Sequence, residues 1–102
     1  MEVKKTIDIQ KLIKICRRHK INFLAIFGSY ARGDYSEKSD LDLLIRFPEE
    51  VDDEITLLDF VGIEQELSEE LQVKVDLLTE DSISPYIKKY IMDDLKVIYN
   101  EG

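Results

Sequence analysis

Apolar residues recur along the chain with two spacings, one typical of helices and one typical of strands. Positions with the i, i+3, i+4, i+7 spacing of a single helix face begin at Ile9 and predict a helix over about residues 8–20. Asp8 or Thr6 is a suitable N-cap, because either side chain can accept a hydrogen bond from the first turn. The chain therefore begins with a helix that has one apolar face.

Three segments have the spacing of strands. The segment 21–27 is apolar almost throughout and predicts a strand covered on both faces, and 41–47 predicts a second strand. The segment 73–78 alternates, so that Val75 faces the core while Asp76 faces away. The strands are therefore expected to form one sheet with an apolar face and a carboxylate face.

The other segments predict shorter connections and two further helices. They are a turn at 29–34, an acidic surface loop at 49–54, a helix at 56–71, a turn-rich connection at 79–84, a helix at 85–93 and a short strand at 95–99. Together these elements predict a single α/β (α+β) domain over residues 1–102, with helices packed on one face of the sheet and the active site on the other.

Composition narrows the function classes. The chain has 102 residues and a net charge of −8, which argues against direct nucleic-acid binding and suits a basic protein partner or a metal-bound anionic ligand. No apolar run approaches the roughly 20 residues of a membrane span. The first residues, 1–5, lack a signal-peptide core, and the single cysteine, Cys16, fits a reducing compartment. We therefore expect a cytoplasmic protein with Cys16 in its core.

Three carboxylates form the first part of the candidate chemistry. Asp40 and Asp42 are two residues apart near a strand and share one face, and Asp76 lies on a strand with the same alternation. Such carboxylates repel one another unless a cation lies among them. Hard oxygen ligands favour Mg²⁺ or Mn²⁺, with phosphate oxygens as further ligands.

The turn after the first strand forms the second part. Gly28 allows the backbone to approach a phosphate, amide groups at the start of a helical turn favour an anion, and the Ser29 hydroxyl can donate a hydrogen bond. Arg32 adds a planar cation suited to phosphate. Taken singly, each feature has an ordinary explanation, such as a chance Gly-Ser pair, a solvated strand edge or a surface arginine. Their joint order and spacing at strand ends favour metal-assisted cleavage of a triphosphate.

The run GSYARGDYSEKSDLDLLI, residues 28–45, resembles the signature of the DNA polymerase beta nucleotidyltransferase superfamily. That signature is a Gly-Ser pair, ten further residues and then Asp-x-Asp. The form GS-x-ARG-x5-SD-x-DLL and the short chain resemble the minimal nucleotidyltransferase (MntA-like) branch. The resemblance implies a nucleotidyltransferase fold with a small mixed β-sheet.

The resemblance also implies roles for individual residues. Asp40 and Asp42 would bind two Mg²⁺ ions. Asp76 matches the third carboxylate of the family and would complete one metal site and help to deprotonate the acceptor hydroxyl. The implied nucleotide-binding residues are Gly28, Ser29, Arg32 and Ser39. Of these, Gly28 and Ser29 would hold the β- and γ-phosphates of the substrate, ATP.

The partner follows from the same resemblance. Members of this branch resemble antitoxins that transfer AMP to a tyrosine of a HEPN-domain ribonuclease toxin, which implies a hetero-oligomer. The segment after Asp76 has room for one helix and a short strand, so we expect a second molecule to bring the acceptor. Two alternatives stay open at this point. One is a nucleotidyltransferase with a small-molecule or RNA acceptor, and the other is a non-catalytic antitoxin that acts by contact alone.

Overall fold

The structure, a computed structural model, describes residues 7–101. Thr6, the alternative N-cap, and the ends of the predicted 1–102 domain lie outside the described residues. The helices are α1 (Ile9–Arg18), α2 (Ser29–Arg32), α3 (Glu49–Asp52), α4 (Leu57–Leu71) and α5 (Pro85–Asp94). The strands are β1 (Phe23–Phe27), β2 (Leu41–Arg46), β3 (Val75–Thr79) and β4 (Lys96–Asn100). A short 3₁₀ turn, Glu80–Ser82, precedes α5.

The four strands form one mixed sheet in the order β3-β2-β1-β4. Strand β1 runs antiparallel to both β2 and β4, whereas β2 and β3 are parallel. The end of β1 therefore lies beside the starts of β2 and β3, and this edge of the sheet is where the predicted site residues are found. The expected mixed α/β fold is confirmed.

The larger core lies between the sheet and helices α1 and α4. Leu12 and Cys16 from α1 and Leu67 from α4 are fully buried there against Leu24 and Leu43 of the sheet. Cys16 is a core residue, as predicted, and burial raises the pKa of its thiol to about 12. The thiol is therefore unreactive, since the nucleophilic form of cysteine is the thiolate.

Helix α5 differs from the expectation that the helices lie on one face of the sheet. Ile91 of α5, with Ile83 just before it, packs against the opposite face, on Phe23, Ala25 and Phe27 of β1. Strand β1 is buried on both sides along its whole length. Its apolar side chains on the second face need a cover, and α5 provides it. We call this second face the carboxylate face, because Asp42 and Asp76 lie on it.

Several element boundaries also differ from the predictions by one or two residues, and two differences have a clear local cause. The acidic segment 49–54 contains a short helix, α3, because Pro48 suits the position before a helix and the acidic residues of the first turn favour its N-terminus. Strand β3 begins two residues late. Gln72 takes the left-handed conformation (φ 55°) that ends α4, and the amide of Val73 still donates to the carbonyl of Ser68 at 3.2 Å.

Side chains cap the starts of the longer helices, and the cap of α1 is Asp8, one of the two residues predicted from the sequence. The Asp8 carboxylate accepts a hydrogen bond from the Lys11 amide at 3.1 Å, and Thr56 forms a reciprocal capping box with Asp59. Pro85 occupies the first turn of α5 after the N-cap Ser84. Within residues 7–101, no helix has the length and apolar character needed to cross a membrane.

A matched pair of leucines on α4 tests this packing. Leu67→Ala should lower the free energy of unfolding by about 2–5 kcal/mol, because Leu67 is fully buried and its truncation leaves a cavity. Leu58 is 82% exposed on the same helix, so Leu58→Ala should change the free energy by about 0.5 kcal/mol or less. Urea unfolding of both variants measures the difference. Equal losses would mean that α4 packs through another face.

Candidate active site

The parallel pairing of β2 and β3 brings two of the predicted carboxylates together. Asp42 and Asp76 are direct partners in the ladder, so both side chains project from the carboxylate face. Asp40 lies two residues before Asp42, and its Oδ2 is 4.0 Å from the Lys74 Nζ. Asp76 is exposed, whereas Asp40 and Asp42 are half-buried. The three acidic residues predicted from the sequence thus lie at one edge of the sheet.

Asp42 lies in an environment that disfavours its negative charge. Burial raises its pKa to about 6, and the negative charges of Asp76 and then Asp40 act in the same direction. The positive charge of Arg32 opposes the shift. Phe27 is the cross-strand partner of Asp42 and belongs to the core under α5, which explains the partial burial. An ionised Asp42 is therefore in an environment that favours a bound cation.

Gly28 approaches Asp42 so closely that a side chain at this position would displace the Asp42 carboxylate. Its φ of 75° lies in a region that side chains disfavour, and a Cβ atom there would overlap the Asp42 Oδ2 and lie 3.3 Å from the Asp42 Cγ. The Gly28 carbonyl accepts hydrogen bonds from the amides of Ala31 (3.1 Å) and Arg32 (3.0 Å), which fixes the turn. The missing side chain thus lets the α2 turn and the carboxylates share one corner.

The α2 turn begins next to this corner. The amides of Ser29 and Tyr30 open the turn, where a helix has no carbonyl of its own to receive them. Such amides suit an anion, and phosphate oxygens are good acceptors. Gly28 and Ser29 therefore have the local geometry expected of a phosphate-binding turn next to the carboxylates.

Arg32 ends the α2 turn and is held by two acidic residues. Its Nε donates to the Asp34 Oδ2 at 3.1 Å, and its Nη1 donates to the Asp94 Oδ2 at 2.8 Å. These two hydrogen bonds, that with Asp94 first, raise the pKa of Arg32 further above its ordinary value. Asp94 was not among the residues predicted from the sequence, because it lies at the end of α5 and nothing in its neighbours marks it as a site residue.

Ser39, the last of the predicted nucleotide-binding residues, lies in the loop before Asp40 and bonds to Ser36. Its hydroxyl accepts a hydrogen bond from the Ser36 amide at 2.9 Å, and its amide donates to the Ser36 carbonyl at 3.1 Å. Ser39 therefore closes the loop that leads into Asp40. It also lines a surface pocket with Tyr30, Asp40 and Lys74. A direct contact with nucleotide stays a prediction.

The carboxylates fit a cation that takes part of its coordination from a ligand. No group of three or more His, Cys, Asp or Glu side chains is arranged to hold a metal ion on its own among residues 7–101. Mg²⁺ usually binds through one or two carboxylates and completes its shell with water and phosphate oxygens. Asp42 with either neighbouring carboxylate fits that requirement, and the half-buried Asp42 charge favours it.

Comparison with known proteins identifies the family. The family model described as "Nucleotidyltransferase domain" matches residues 9–98, which span α1 to β4. The chain belongs to this nucleotidyltransferase family. The chain is therefore a nucleotidyltransferase enzyme, and the resemblance of residues 28–45 to this superfamily is confirmed.

Relatives from archaea are similar over most of their length. A candidate protein adenylyltransferase of Methanocaldococcus jannaschii is 47% identical over 79 residues, which cover 76% of each chain. A protein adenylyltransferase named MntA, from Thermococcus cleftensis, is 35% identical over 78 residues, covering 76% of this chain and 75% of the relative. These relatives assign the nucleotidyltransferase to the MntA-like group.

Solved structures share the fold. A structure described as a candidate minimal nucleotidyltransferase superposes with a TM-score of 0.70 at 33% identity, covering 86% of both chains. A toxin–antitoxin crystal structure with AMP-PNP superposes with a TM-score of 0.78 at 23% identity, covering 91% of this chain and 73% of the other. An antitoxin from Shewanella oneidensis, solved with a tri-AMPylated HEPN toxin, has a TM-score of 0.69 at 21% identity and covers 90% and 69%. At 23% and 21% identity, the similarity to these two toxin–antitoxin structures shows a shared fold.

Substitution of two glycines, Gly28 and Gly33, distinguishes a steric clash with Asp42 from backbone strain. Gly28→Ala should abolish nucleotidyl transfer and lower the free energy of unfolding by about 1–3 kcal/mol, because the new Cβ would displace Asp42. Gly33 also has a positive φ, 87°, but a Cβ there meets nothing within 4 Å. Gly33→Ala should therefore cost only backbone strain and keep most of the activity. Turnover and urea unfolding of both variants give the comparison, and equal loss of activity would contradict it.

The raised pKa of Asp42 predicts a pH-dependent stability cost. Ionisation is harder in the fold than in the unfolded chain, so the stability present below about pH 4 is lost as the pH rises through about 6. Asp42→Asn should remove this loss and stabilise the metal-free protein at pH 8 by about 1–2 kcal/mol, a value reduced for solvent screening.

The difference should shrink toward zero at pH 4. Urea unfolding at both pH values in the presence of a chelator measures it. Asp53→Asn, which removes an exposed charge after α3, is the control. A stabilisation by Asp42→Asn that is equal at both pH values would refute the electrostatic explanation.

Proposed function

We propose that this nucleotidyltransferase is a Mg²⁺-dependent protein adenylyltransferase that transfers AMP from ATP to a tyrosine of a HEPN-domain toxin and so neutralises it. The observation that supports this most directly is the corner itself, where Asp42, its ladder partner Asp76 and the Gly28 turn adjoin. Carboxylates for a cation and amides for phosphate are the two elements that transfer from a nucleoside triphosphate requires.

The reaction assigns a role to each group. The tyrosine oxygen attacks the α-phosphorus of ATP, the bond from that phosphorus to the oxygen bridging to the β-phosphate breaks, and pyrophosphate leaves. Asp76 is exposed next to Asp42 and would accept the phenol proton. Ser29 and the turn amides would hold the β- and γ-phosphates, and Arg32 would balance their charge.

Mg²⁺, when bound at Asp40 and Asp42, would supply Lewis-acid stabilisation of the charge that develops on the transferred and leaving phosphates. Without a cation, the triphosphate and the three carboxylates would repel one another. The half-buried position of Asp42 strengthens this electrostatic requirement. Mn²⁺ accepts the same oxygen ligands and should substitute.

The choice of nucleotide and partner rests on the relatives. The names of relatives that are 35–47% identical describe protein adenylyltransferases. Structural neighbours include a toxin–antitoxin with AMP-PNP and a tri-AMPylated HEPN toxin with its antitoxin. The net charge of −8 is complementary to a basic toxin surface. The reaction would occur in the cytoplasm, which also suits the single reduced thiol.

Transfer of label to the partner tests the proposal. Purified protein, Mg²⁺, α-labelled ATP and a coexpressed HEPN-domain protein should yield a labelled partner whose intact mass rises in AMP-sized steps. The double variant Asp40→Asn, Asp42→Asn should abolish the label, because it removes the predicted cation ligands. Asp53→Asn, which removes an exposed charge after α3, is the control and should keep the activity.

Other outcomes distinguish the alternatives. Full labelling by the double variant would refute the assigned carboxylates. Label found on RNA or on a small molecule, with none on the partner, would favour a different acceptor. A double variant that no longer labels but still protects cells from the toxin would favour neutralisation by contact alone.

A further inference from the structure

Asp94 reaches the active site from an element that has no place in the sequence signature. Helix α5 crosses the carboxylate face, and its last residue, Asp94, receives the 2.8 Å hydrogen bond from Arg32. The chain then enters β4, whose first residue Lys96 pairs with Ile26 near the end of β1. The end of α5 therefore lies beside the α2 turn, which follows β1.

Arg32 lies near three carboxylates, and two of them hold its guanidinium. Asp34 and Asp94 hold its guanidinium through separate nitrogens, at 3.1 Å and 2.8 Å. Asp42 lies against Gly28, whose carbonyl accepts a hydrogen bond from the Arg32 amide at 3.0 Å, yet the Arg32 and Asp42 side chains form no ion pair. Asp42 is half-buried, and a poorly solvated charge strongly attracts a free cation.

We propose that Asp94 is a positioning residue that keeps the Arg32 guanidinium at the rim of the site and off Asp42. This inference rests on the proposed function, in which Asp42 binds the cation and Arg32 meets the phosphates. Without Asp94, Arg32 would turn onto Asp42 and occupy the carboxylate that the Mg²⁺–nucleotide complex requires. Arg32 would also leave the position from which it contacts phosphate.

A role in stability alone does not explain the contact. The Arg32 side chain is 46% exposed and the Asp94 side chain 28% exposed, and ion pairs at such positions add little to the free energy of unfolding. The arrangement does constrain geometry, because two carboxylates hold separate nitrogens of one planar guanidinium. Orientation of Arg32 is therefore the property that Asp94 controls.

A double-mutant cycle on nucleotide binding tests the proposal. The probe is a fluorescent, non-hydrolysable ATP analogue with Mg²⁺, and anisotropy gives its Kd without turnover. Asp94→Asn should weaken binding about tenfold, and Arg32→Ala by a similar or smaller factor. The combined variant should bind within about twofold of Arg32→Ala alone, because Asp94 acts only through Arg32. Asp34→Asn, which removes the other hydrogen bond, should weaken binding in the same Arg32-dependent way.

Controls separate this mechanism from unfolding and from general charge effects. Asp93→Asn removes the same charge one residue earlier on α5 and should leave the Kd unchanged. Thermal midpoints of all variants should lie close to that of the unaltered protein. Asp94→Asn that leaves binding unchanged, tightens it, or weakens it equally in the Arg32→Ala background would overturn the positioning role. No binding of the analogue by the unaltered protein would refute the proposed function and the inference with it.

Discussion

The active site depends on two like charges, Asp42 and Asp76, that the pairing of two strands holds together. Strands β2 and β3 pair in parallel with Asp42 opposite Asp76, and this register is fixed because Leu41 and Leu43 face the larger core together with Val75 and Leu77. A shift by one residue would expose those side chains and bury the carboxylates. The hydrophobic core therefore forces the two acidic side chains together, and their repulsion persists until a cation or a proton relieves it.

The stability that permits this repulsion comes mainly from the other side of the sheet. Helices α1 and α4 bury Leu12 and Leu67 against the strands, and no carboxylate lies within that core among the described residues. The unfavourable charges are thus separated from the main packing by the thickness of one sheet. This separation lets Asp42 carry a charge that burial and its neighbours disfavour without disturbing the contacts that hold the fold together.

Much of this arrangement could be predicted from the sequence, because the spacing of apolar residues and the order of motif residues are local properties of the chain. The alternation around Asp76 and the burial of both faces of β1 indicated the sheet, and the spacing of Gly28, Asp40 and Asp42 indicated the site and family. The positive φ of Gly28 is what a glycine in a tight turn permits, whereas its contact with Asp42 depends on how the strands pair and has no signal in the sequence. The face covered by α5 could not be read from its own pattern, since Tyr86, Ile87 and Tyr90 stay exposed.

The position of α5 nevertheless follows from an observation that the sequence contained. A strand that is apolar on both faces, as 21–27 is, cannot have all its helices on one side, because its second row of side chains would face water. Among the described helices, α5 is the one that contributes no residue to the larger core, and its Ile91 lies on that row. Helix α5 covers β1, and the chain then enters β4 beside Ile26. The end of α5 therefore lies next to the α2 turn. The contact between Asp94 and Arg32 is thus a consequence of the need to bury Phe23, Ala25 and Phe27, and a packing requirement determines which acidic residue reaches the active site.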